Sequence, residues 1–336
     1  MTTTRLSLPG EFAEVFARFV TTEYTVLDPR GRPSIWPLIP YYSRSDRHIE
    51  VGVGLGSPKK AEDARRNPRV ALLFSDPTGS GLTDPPQVLV QGTATVDDRD
   101  PTANFERTIR AFTEKLPRRR LLLPPRPVRR LLGWYFARVS IWIRIERLYV
   151  WSADGPTRQP QRLDLRPTAL AQDGAAVGAE EDPLAGGDPV WHDPVWDVRL
   201  DRLGQTYPTA VVSVQAHDGY PFAIRVPIAT DPAARRIRIG CDPAGVPLRA
   251  GPACLTAHDH DADFTWFRNC QVRGTLIRDQ GGWAILPHRV IGGDHLLPGR
   301  GLPRLTRAAA GACVPPPRKA FGYGSVADSG VMKRTS

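Results

Sequence analysis

Residues 51–74 read VGVGLGSPKKAEDARRNPRVALLF, two apolar runs separated by a short polar stretch. The first run ends in glycines, and the second begins at Val70 after an Asn-Pro pair, which disfavours a continuing helix. Between the runs, Ser57 suits the N-cap of a helix and Pro58 suits its first position, where the missing N–H costs nothing. The stretch therefore predicts strand, short helix and strand.

The start of this helix carries an unusual charge. Lys59 and Lys60 fall in its first turn, where the positive end of the helix dipole disfavours a cation by about 0.3–1 kcal/mol. Free N–H groups, the dipole and two ammonium groups together attract an anion, and such helix ends usually bind phosphate. We therefore predict a phosphate site at Ser57, Lys59 and Lys60, with two solvated surface lysines as the alternative.

The composition is that of an ordinary globular protein. The 336 residues leave room for two domains, and 41% are hydrophobic and 24% charged. Four cysteines form no CxxC pair, which favours a reducing compartment. No signal-peptide core and no apolar run of about 18 residues occur. We expect a soluble cytoplasmic protein without a membrane segment.

The net charge of +10 raises the question of nucleic-acid binding. Much of the excess lies between residues 107 and 130 and after residue 299. Aromatic residues do not interleave with these cations, and no recognised nucleic-acid module surrounds them. We interpret them as a solvated face or a partner surface rather than a nucleic-acid site.

The pattern of apolar runs predicts a mainly β (α+β) fold. Residues 23–27 and 33–42 flank a Pro/Gly turn and predict a hairpin, and Pro33, Pro37 and Pro40 indicate that its second run is irregular or lies at an edge. The other expected elements are helices at Phe12–Phe19 and Asn104–Leu116 and strands at His48–Val53, Val70–Phe74, Gln87–Val96 and Ala137–Trp151. So few helices among six strands indicate a small β-barrel with peripheral helices, not a doubly wound sheet.

The first half of the chain recurs in the second half. Gly31 recurs as Gly219, 188 positions later, and VQGT at 90–93 recurs as VRGT at 272–275. The second copy is shorter, because it lacks the helix expected at 104–116. The sequence therefore predicts two tandem barrels.

The second copy has lost the basic pair. Pro247 and Leu248 stand where Lys59 and Lys60 stand in the first copy, so we expect a phosphate site only in the first. The expected division of the chain is a first barrel at 1–152, a linker or loose excursion at 153–194, a second, degenerate barrel at 195–298 and a mobile tail at 299–336.

The motifs Gly-Ser-x-Lys-Lys-Ala, Asn-Pro-Arg-Val-Ala-Leu-Leu and Gln-Val-x-Val-x-Gly follow one another in the first copy. In this order they resemble the pyridoxamine 5′-phosphate oxidase-like flavin-binding split β-barrels. The resemblance covers residues 12–151, with a weaker echo at 198–293. It implies tandem split β-barrels of the FMN-binding type, with FMN or a deazaflavin coenzyme as the cofactor.

The resemblance also implies a set of cofactor-binding residues. Lys60 matches the family's phosphate-binding lysine, and Lys59 the basic position before it. The flavin ring is expected along the strand of Trp36, Pro37 and Leu38. The further matches are the backbone of Val53 and Gly54 and the side chain of Gln87, which reaches the ring or the ribityl chain.

The function implied is an FMN-dependent oxidoreductase acting on a small organic substrate, with NAD(P)H or oxygen as reaction partner. Trp36 stands where the oxidase itself has an arginine, five residues after the turn glycine, so oxidation of pyridoxamine phosphate is not expected. No side chain is indicated as a catalytic acid or base. A deazaflavin-dependent reductase and a non-catalytic flavin- or haem-binding protein are the alternatives.

The family usually places its flavin between two barrels of a homodimer. A tandem copy could supply the second barrel within one chain. Intramolecular barrel pairing and a homodimer therefore both remain open.

A second polar cluster, His258-Asp-His260-Asp261, stands outside these motifs. On a strand the two histidines would share one face, as two metal ligands do. The repeat places them in the loop after a strand, so we expect a solvated turn and no metal site.

Overall fold

We analysed the protein as a computed structural model. The structure describes residues 10–44, 48–118, 125, 127–128, 136–152, 155–165, 194–279 and 281–297. The tail expected at 299–336 and most of the linker expected at 153–194 lie outside the described residues.

The strands form two units. An eight-stranded antiparallel sheet, here the first sheet, has the order β2-β1-β5-β6-β7-β4-β3, with β8 added to β7. Its strands are β1 (Thr22–Leu27), β2 (Pro33–Leu38), β3 (Pro40–Ser43), β4 (His48–Gly54), β5 (Arg69–Phe74), β6 (Gln87–Asp97), β7 (Arg138–Trp151) and β8 (Gln161–Asp164). The expected linker thus contains a strand, β8, which pairs with β7 and belongs to this sheet.

The second unit is a closed six-stranded barrel in the order β10-β11-β14-β13-β12-β9. Its strands are β9 (Thr209–Gln215), β10 (Pro221–Asp231), β11 (Arg236–Ile239), β12 (Gly251–His260), β13 (Phe267–Asp279) and β14 (Gly282–Gly292). With few helices around these strands, the prediction of a mainly β fold is confirmed.

Four α-helices with both ends in the described part of the chain accompany the strands. They are α1 (Gly10–Arg18), α2 (Lys59–Arg66), α3 (Pro101–Lys115) and α4 (Leu203–Thr206). Two 3₁₀ turns, Val198–Arg202 and Asp294–Leu296, flank the closed barrel in the chain. In the described ranges, no helix combines the length and the apolar character needed to cross a membrane.

The start of α3 differs from the prediction by three residues. The Asp100 carboxylate accepts the N–H groups of Thr102 and Ala103, and Pro101 follows the cap. Aspartate as N-cap and proline in the first turn are both favourable, so the helix begins at residue 101 rather than 104.

The prolines mark the edges of the first sheet, as predicted. β2 and β3 lie at the two ends of the strand path, and Pro33, Pro37 and Pro40 are confined to them. Each edge strand has one paired neighbour, so the missing N–H of proline is tolerated there. The chain leaves β2 at Leu38 and enters β3 at Pro40, at opposite edges of the sheet.

Two glycines that the sequence repeat pairs occupy the same kind of position. The strand register shifts immediately before Gly92 in β6 and before Gly274 in β13. A Cβ at Gly92 would collide with the carbonyl oxygen of Arg144, and one at Gly274 with that of Leu286. Both sites therefore require glycine for close backbone approach.

A hydrophobic core joins the two units. Ile35, Leu73, Leu89 and Trp151 of the first sheet belong to the cluster that fills the closed barrel. Phe222 of β10 contributes to this contact, with its ring centroid 6.1 Å from that of Trp151. Each such side chain removed from water contributes about 1.5–3 kcal/mol, so the two units are held together by a continuous apolar interface.

Candidate functional site

A cleft of about 400 Å³ opens between β2, β3, α3 and the loop that joins β12 to β13. This is within the range of about 300–1,000 Å³ that is usual for ligand pockets. The cleft is lined mainly by apolar and aromatic side chains: Pro37, Leu38, Ile39, Tyr41, Gly52, Phe105, Thr108, Ile109, Phe112, Phe136, Arg138, Phe264 and Phe267. A planar, largely apolar ligand matches this lining.

Few of the described residues that line the cleft carry polar groups. Thr108 Oγ1 is buried and has no hydrogen-bond partner within the described part of the chain. Burial, with a smaller contribution from Glu50, raises the pKa of Tyr41, so its hydroxyl stays protonated at neutral pH. Arg138 supplies the positive charge. The cleft can therefore fix a heteroatom on a flat ring by hydrogen bonds from Thr108, Tyr41 or Arg138.

The residues predicted along the flavin ring fall partly in this cleft. Pro37 and Leu38 line it, and so does Gly52, which directly precedes Val53. The Val53 side chain points instead into the core of the first sheet. A Cβ at Gly54 would lie 3.6 Å from Nη1 of Arg138, so the end of β4 borders the cleft.

The start of α2 differs from the prediction by one residue. The helix begins at Lys59, Pro58 occupies the N-cap position and no side chain caps it. Pro58 already has helical dihedrals, φ −67° and ψ −22°, and its carbonyl accepts the N–H of Glu62. Ser57 is exposed and precedes this position. The prediction that Ser57 caps the helix is therefore wrong.

The two lysines at this helix start have different surroundings. Lys59 Nζ lies 2.7 Å and 2.9 Å from the two carboxylate oxygens of Asp63, one helical turn later. Lys60 Nζ instead lies 4.3 Å from the ring centroid of Trp36. Burial lowers the pKa of Lys60, and no carboxylate in the described ranges pairs with it. Lys60 is thus the cation that remains available for an anion.

Gln87 and Trp36 are not among the described residues that line the cleft. Gln87 begins β6 opposite Trp151, and its Oε1 is buried without a partner among the described residues. Trp36 directly precedes Pro37 on β2, and its ring contacts the Lys60 ammonium. The structure therefore brings Lys60 into contact with Trp36, which precedes Pro37 and Leu38 on β2.

The aromatic wall of the cleft was missed by sequence reasoning. Phe105, Ile109 and Phe112 follow one another at spacings of four and three, which on α3 places them on one face. That spacing was a usable signal. Phe264 and Phe267 come from the closed barrel, more than 150 residues away in the chain, and no local pattern links them to α3.

The two histidines outside the first-sheet motifs are buried strand residues. His258 and His260 lie at the end of β12, with exposures of 3% and 4%, and face Glu23 and Asp76 of the first-sheet unit. The prediction of a solvated turn is wrong, because β12 runs on to His260. Across the residues with described positions, no three His, Cys, Asp or Glu side chains are arranged to hold a metal ion.

Similarity to known proteins is found among solved structures only. No protein-family model matches the chain, and no curated protein matches it. One similar structure is General Stress Protein 26 from Bacillus anthracis, with 16% identity over 46% of this chain and 96% of that chain, at a TM-score of 0.31.

Two further structures give similar values. A putative pyridoxamine 5′-phosphate oxidase from Listeria innocua has 15% identity over 42% of this chain and 95% of that one, at a TM-score of 0.30. A pyridoxamine 5′-phosphate oxidase-related, FMN-binding protein from Nostoc punctiforme has 13% identity, covers 47% and 96%, and gives a TM-score of 0.31. Likenesses of this size assign neither a family nor a function to the chain.

Proposed function

We propose that the protein binds FMN in the cleft and is an FMN-dependent oxidoreductase acting on a small organic substrate. One observation carries the proposal: the ammonium of Lys60, which has no carboxylate partner among the described residues, lies on the ring of Trp36. Trp36 is followed on β2 by Pro37 and Leu38, which line the cleft. FMN matches a cation next to a cleft for a flat ring, because it has a charged phosphate at one end and a planar ring at the other.

The side chains present suit this ligand. Lys60 and the uncapped start of α2 would hold the phosphate, with Ser57 exposed beside them and Lys59 contributing less because Asp63 already pairs with it. The proposed ring contacts are Trp36, Pro37 and Leu38, the strand end at Val53 and Gly54, and Gln87, whose buried Oε1 lacks a partner in the described part.

A bound flavin would supply the redox chemistry, while this chain binds and orients it and limits the access of water. NAD(P)H or oxygen is the proposed reaction partner. A small substrate would meet the same cleft, whose described lining is mainly apolar and aromatic.

We further propose that the two units are tandem split barrels, divided as the sequence predicts, with β8 assigned to the first. The matching glycines Gly92 and Gly274 support this. So do the two repeat-related turns: a Cβ at Gly31 would strike Gln215 of the closed barrel, and one at Gly219 would strike Arg69 of the first sheet. Each turn thus packs against the other unit, as expected for paired barrels within one chain.

The test is an absorption spectrum of the purified protein followed by titration with FMN and, separately, with a deazaflavin coenzyme. We expect flavin bands or tight uptake of FMN at one equivalent per chain. Two equivalents per chain would contradict a single live site. Tight binding of the deazaflavin alone would replace FMN by the alternative cofactor, and binding of neither would overturn the proposed function.

A further inference from the structure

One wall of the cleft is supplied by the closed barrel. Phe264 and Phe267 follow β12 and line the cleft, whereas the other described lining residues come from the first-sheet part of the chain. Phe264 has φ +52°, a left-handed conformation that is rare for a residue with a bulky side chain. Such a conformation persists only where the surroundings enforce it.

The loop that carries Phe264 is shaped from within by Asp261. Its carboxylate accepts the N–H groups of Thr265 and Trp266 and the Thr265 hydroxyl, while its carbonyl accepts the N–H of Phe264 at 2.9 Å. These bonds set the form of the loop. They do not fix where the loop stands against the first sheet.

Two buried histidines contact the two phenylalanines. The ring centroids of His260 and Phe264 are 5.3 Å apart in an edge-on arrangement, and those of His258 and Phe267 are 6.2 Å apart. The two imidazoles are nearly parallel, with centroids 6.4 Å apart. Each phenylalanine is therefore in ring contact with one of the two buried histidines.

The histidines are in turn held by side chains of the first-sheet unit. His258 Nε2 lies 2.6 Å from Glu23 Oε1, and Glu23 also accepts from Arg225 at 2.8 Å and from the Ser75 hydroxyl at 2.9 Å. Burial alone would raise the pKa of Glu23, but Arg225 and His258 together lower it. Glu23 is thus ionised, and His258 donates to it through Nε2.

Asp76 holds the other side of the pair. Its Oδ2 lies 3.6 Å from His260 Nε2 and 4.0 Å from His258 Nδ1, and Thr21 Oγ1 lies 3.1 Å from the same His260 nitrogen. His258 Nδ1 is buried with no closer partner in the described ranges. Both imidazoles therefore point a ring nitrogen at one carboxylate.

We propose that Glu23, Asp76, His258 and His260 form a positioning layer that sets the place of Phe264 and Phe267, and thereby how tightly the cleft holds a planar ring. The four residues are positioning residues, since they act through the two phenylalanines. The consequence for flavin rests on the proposed function, whereas the positioning itself does not.

The positioning is tested by ¹⁹F NMR of the full chain labelled with 4-fluorophenylalanine. Spectra of Phe264→Leu and Phe267→Leu assign the two resonances. We expect Asp76→Asn, an isosteric change at the rim of the layer, to shift or broaden both, and Asp76→Glu to restore them in part. The control is Asp242→Asn, which removes a carboxylate paired with Arg278 instead.

Thr21→Val is the second variant, because it removes only the hydroxyl near His260. Resonances of Phe264 and Phe267 that are unmoved in folded Asp76→Asn and Thr21→Val would overturn the proposal. Riboflavin titration then tests the consequence: Asp76→Asn should weaken riboflavin and FMN by the same factor, about 3- to 10-fold. If the resonances shift but the protein binds no flavin, the positioning layer is supported and the proposed function is rejected.

Discussion

The first sheet and the closed barrel both consist of antiparallel strands, but the first sheet has two edge strands whereas the second unit closes on itself. In the first sheet, β2 and β3 remain at separate edges, and the chain between them borders the cleft. In the second unit the strand path closes, and the barrel presents β9, β10 and β12 to the first sheet. The open sheet therefore supplies most of the cleft, and the closed barrel supplies its interface and one aromatic wall.

The same contrast holds between the equivalent connections. In the first sheet, α2 joins β4 to β5 and presents Lys60 without a carboxylate partner in the described structure. In the closed barrel, the described segment between β11 and β12 forms no helix, and Leu248 packs against the shared core. An apolar side chain that packs inward has replaced a cation, which is why we place the anion site in the first unit alone.

The largest expected effect comes from breaking the ionic contact between the two units. Glu23→Gln leaves Arg225 buried beside an uncharged amide, and breaking a buried pair costs about 3–5 kcal/mol. The matched control is Glu14→Gln, whose partner Arg44 is exposed; surface pairs contribute about 0–1 kcal/mol. Urea unfolding followed by tryptophan fluorescence measures both. Equal losses in the two variants would contradict the role of Glu23 at the interface.

Gly92 and Gly274, which lie where the strand register shifts, test whether the two units have equivalent positions. Gly92→Ala and Gly274→Ala each force a Cβ against a backbone carbonyl, and overpacking of this kind costs about 1–3 kcal/mol. Gly56→Ala, at an exposed position with nothing within 4 Å of the added Cβ, should change stability little. Thermal unfolding checks all three. A large loss at one bulge and none at the other would argue against equivalent positions.

Acidity should weaken the contact between the units. Glu23 and Asp76 have lowered pKa values: burial would raise them, but Arg225 and His258, joined at Asp76 by hydrogen bonds from Thr78, together outweigh it. Their contribution to stability is therefore present above the ordinary carboxyl pKa of about 4 and is lost as the pH falls through the lowered values. Each group adds a slope of up to about 1.4 kcal/mol per pH unit in that window.

The contribution of Glu23 to this pH dependence can be isolated with the variant Glu23→Gln. Unfolding free energies measured from pH 7 to pH 3 should fall less steeply in Glu23→Gln than in the wild type, because one linked carboxylate is gone. Identical slopes would show that Glu23 takes up no extra proton on unfolding. Glu14→Gln, at the exposed ion pair with Arg44, serves again as the control.

The succession of strands along the chain was predictable because each strand is indicated by local signals in the sequence. Alternating apolar runs, turn residues and the edge prolines Pro33, Pro37 and Pro40 are all read within a few residues of one another. A helix was likewise predicted at Phe12–Phe19, and α1 spans Gly10–Arg18 with Phe12, Val15 and Phe16 buried.

The composition of the cleft was only partly predictable, because docking of the units determines it. Pro37 and Leu38 were expected along the ring, but Phe264 reaches the cleft only after the closed barrel has packed on the first sheet. His258 and His260 were assigned to a loop because the repeat was aligned to the six-residue β5, whereas β12 has ten residues. The pairing of Lys59 with Asp63, four positions on, was visible in the sequence and overlooked.

The central claim is that Lys60, and not Lys59, holds the phosphate of FMN beside the cleft. Its most direct test is the ratio of FMN to riboflavin affinity in the wild type, Lys60→Ala and Lys59→Ala, since riboflavin lacks the phosphate. Hydrogen bonds to charged groups contribute about 1.5–3 kcal/mol, so Lys60→Ala should weaken FMN about 10- to 100-fold and leave riboflavin unchanged. Lys59→Ala should change the ratio less. An FMN-to-riboflavin ratio that Lys60→Ala leaves at the wild-type value would contradict the account.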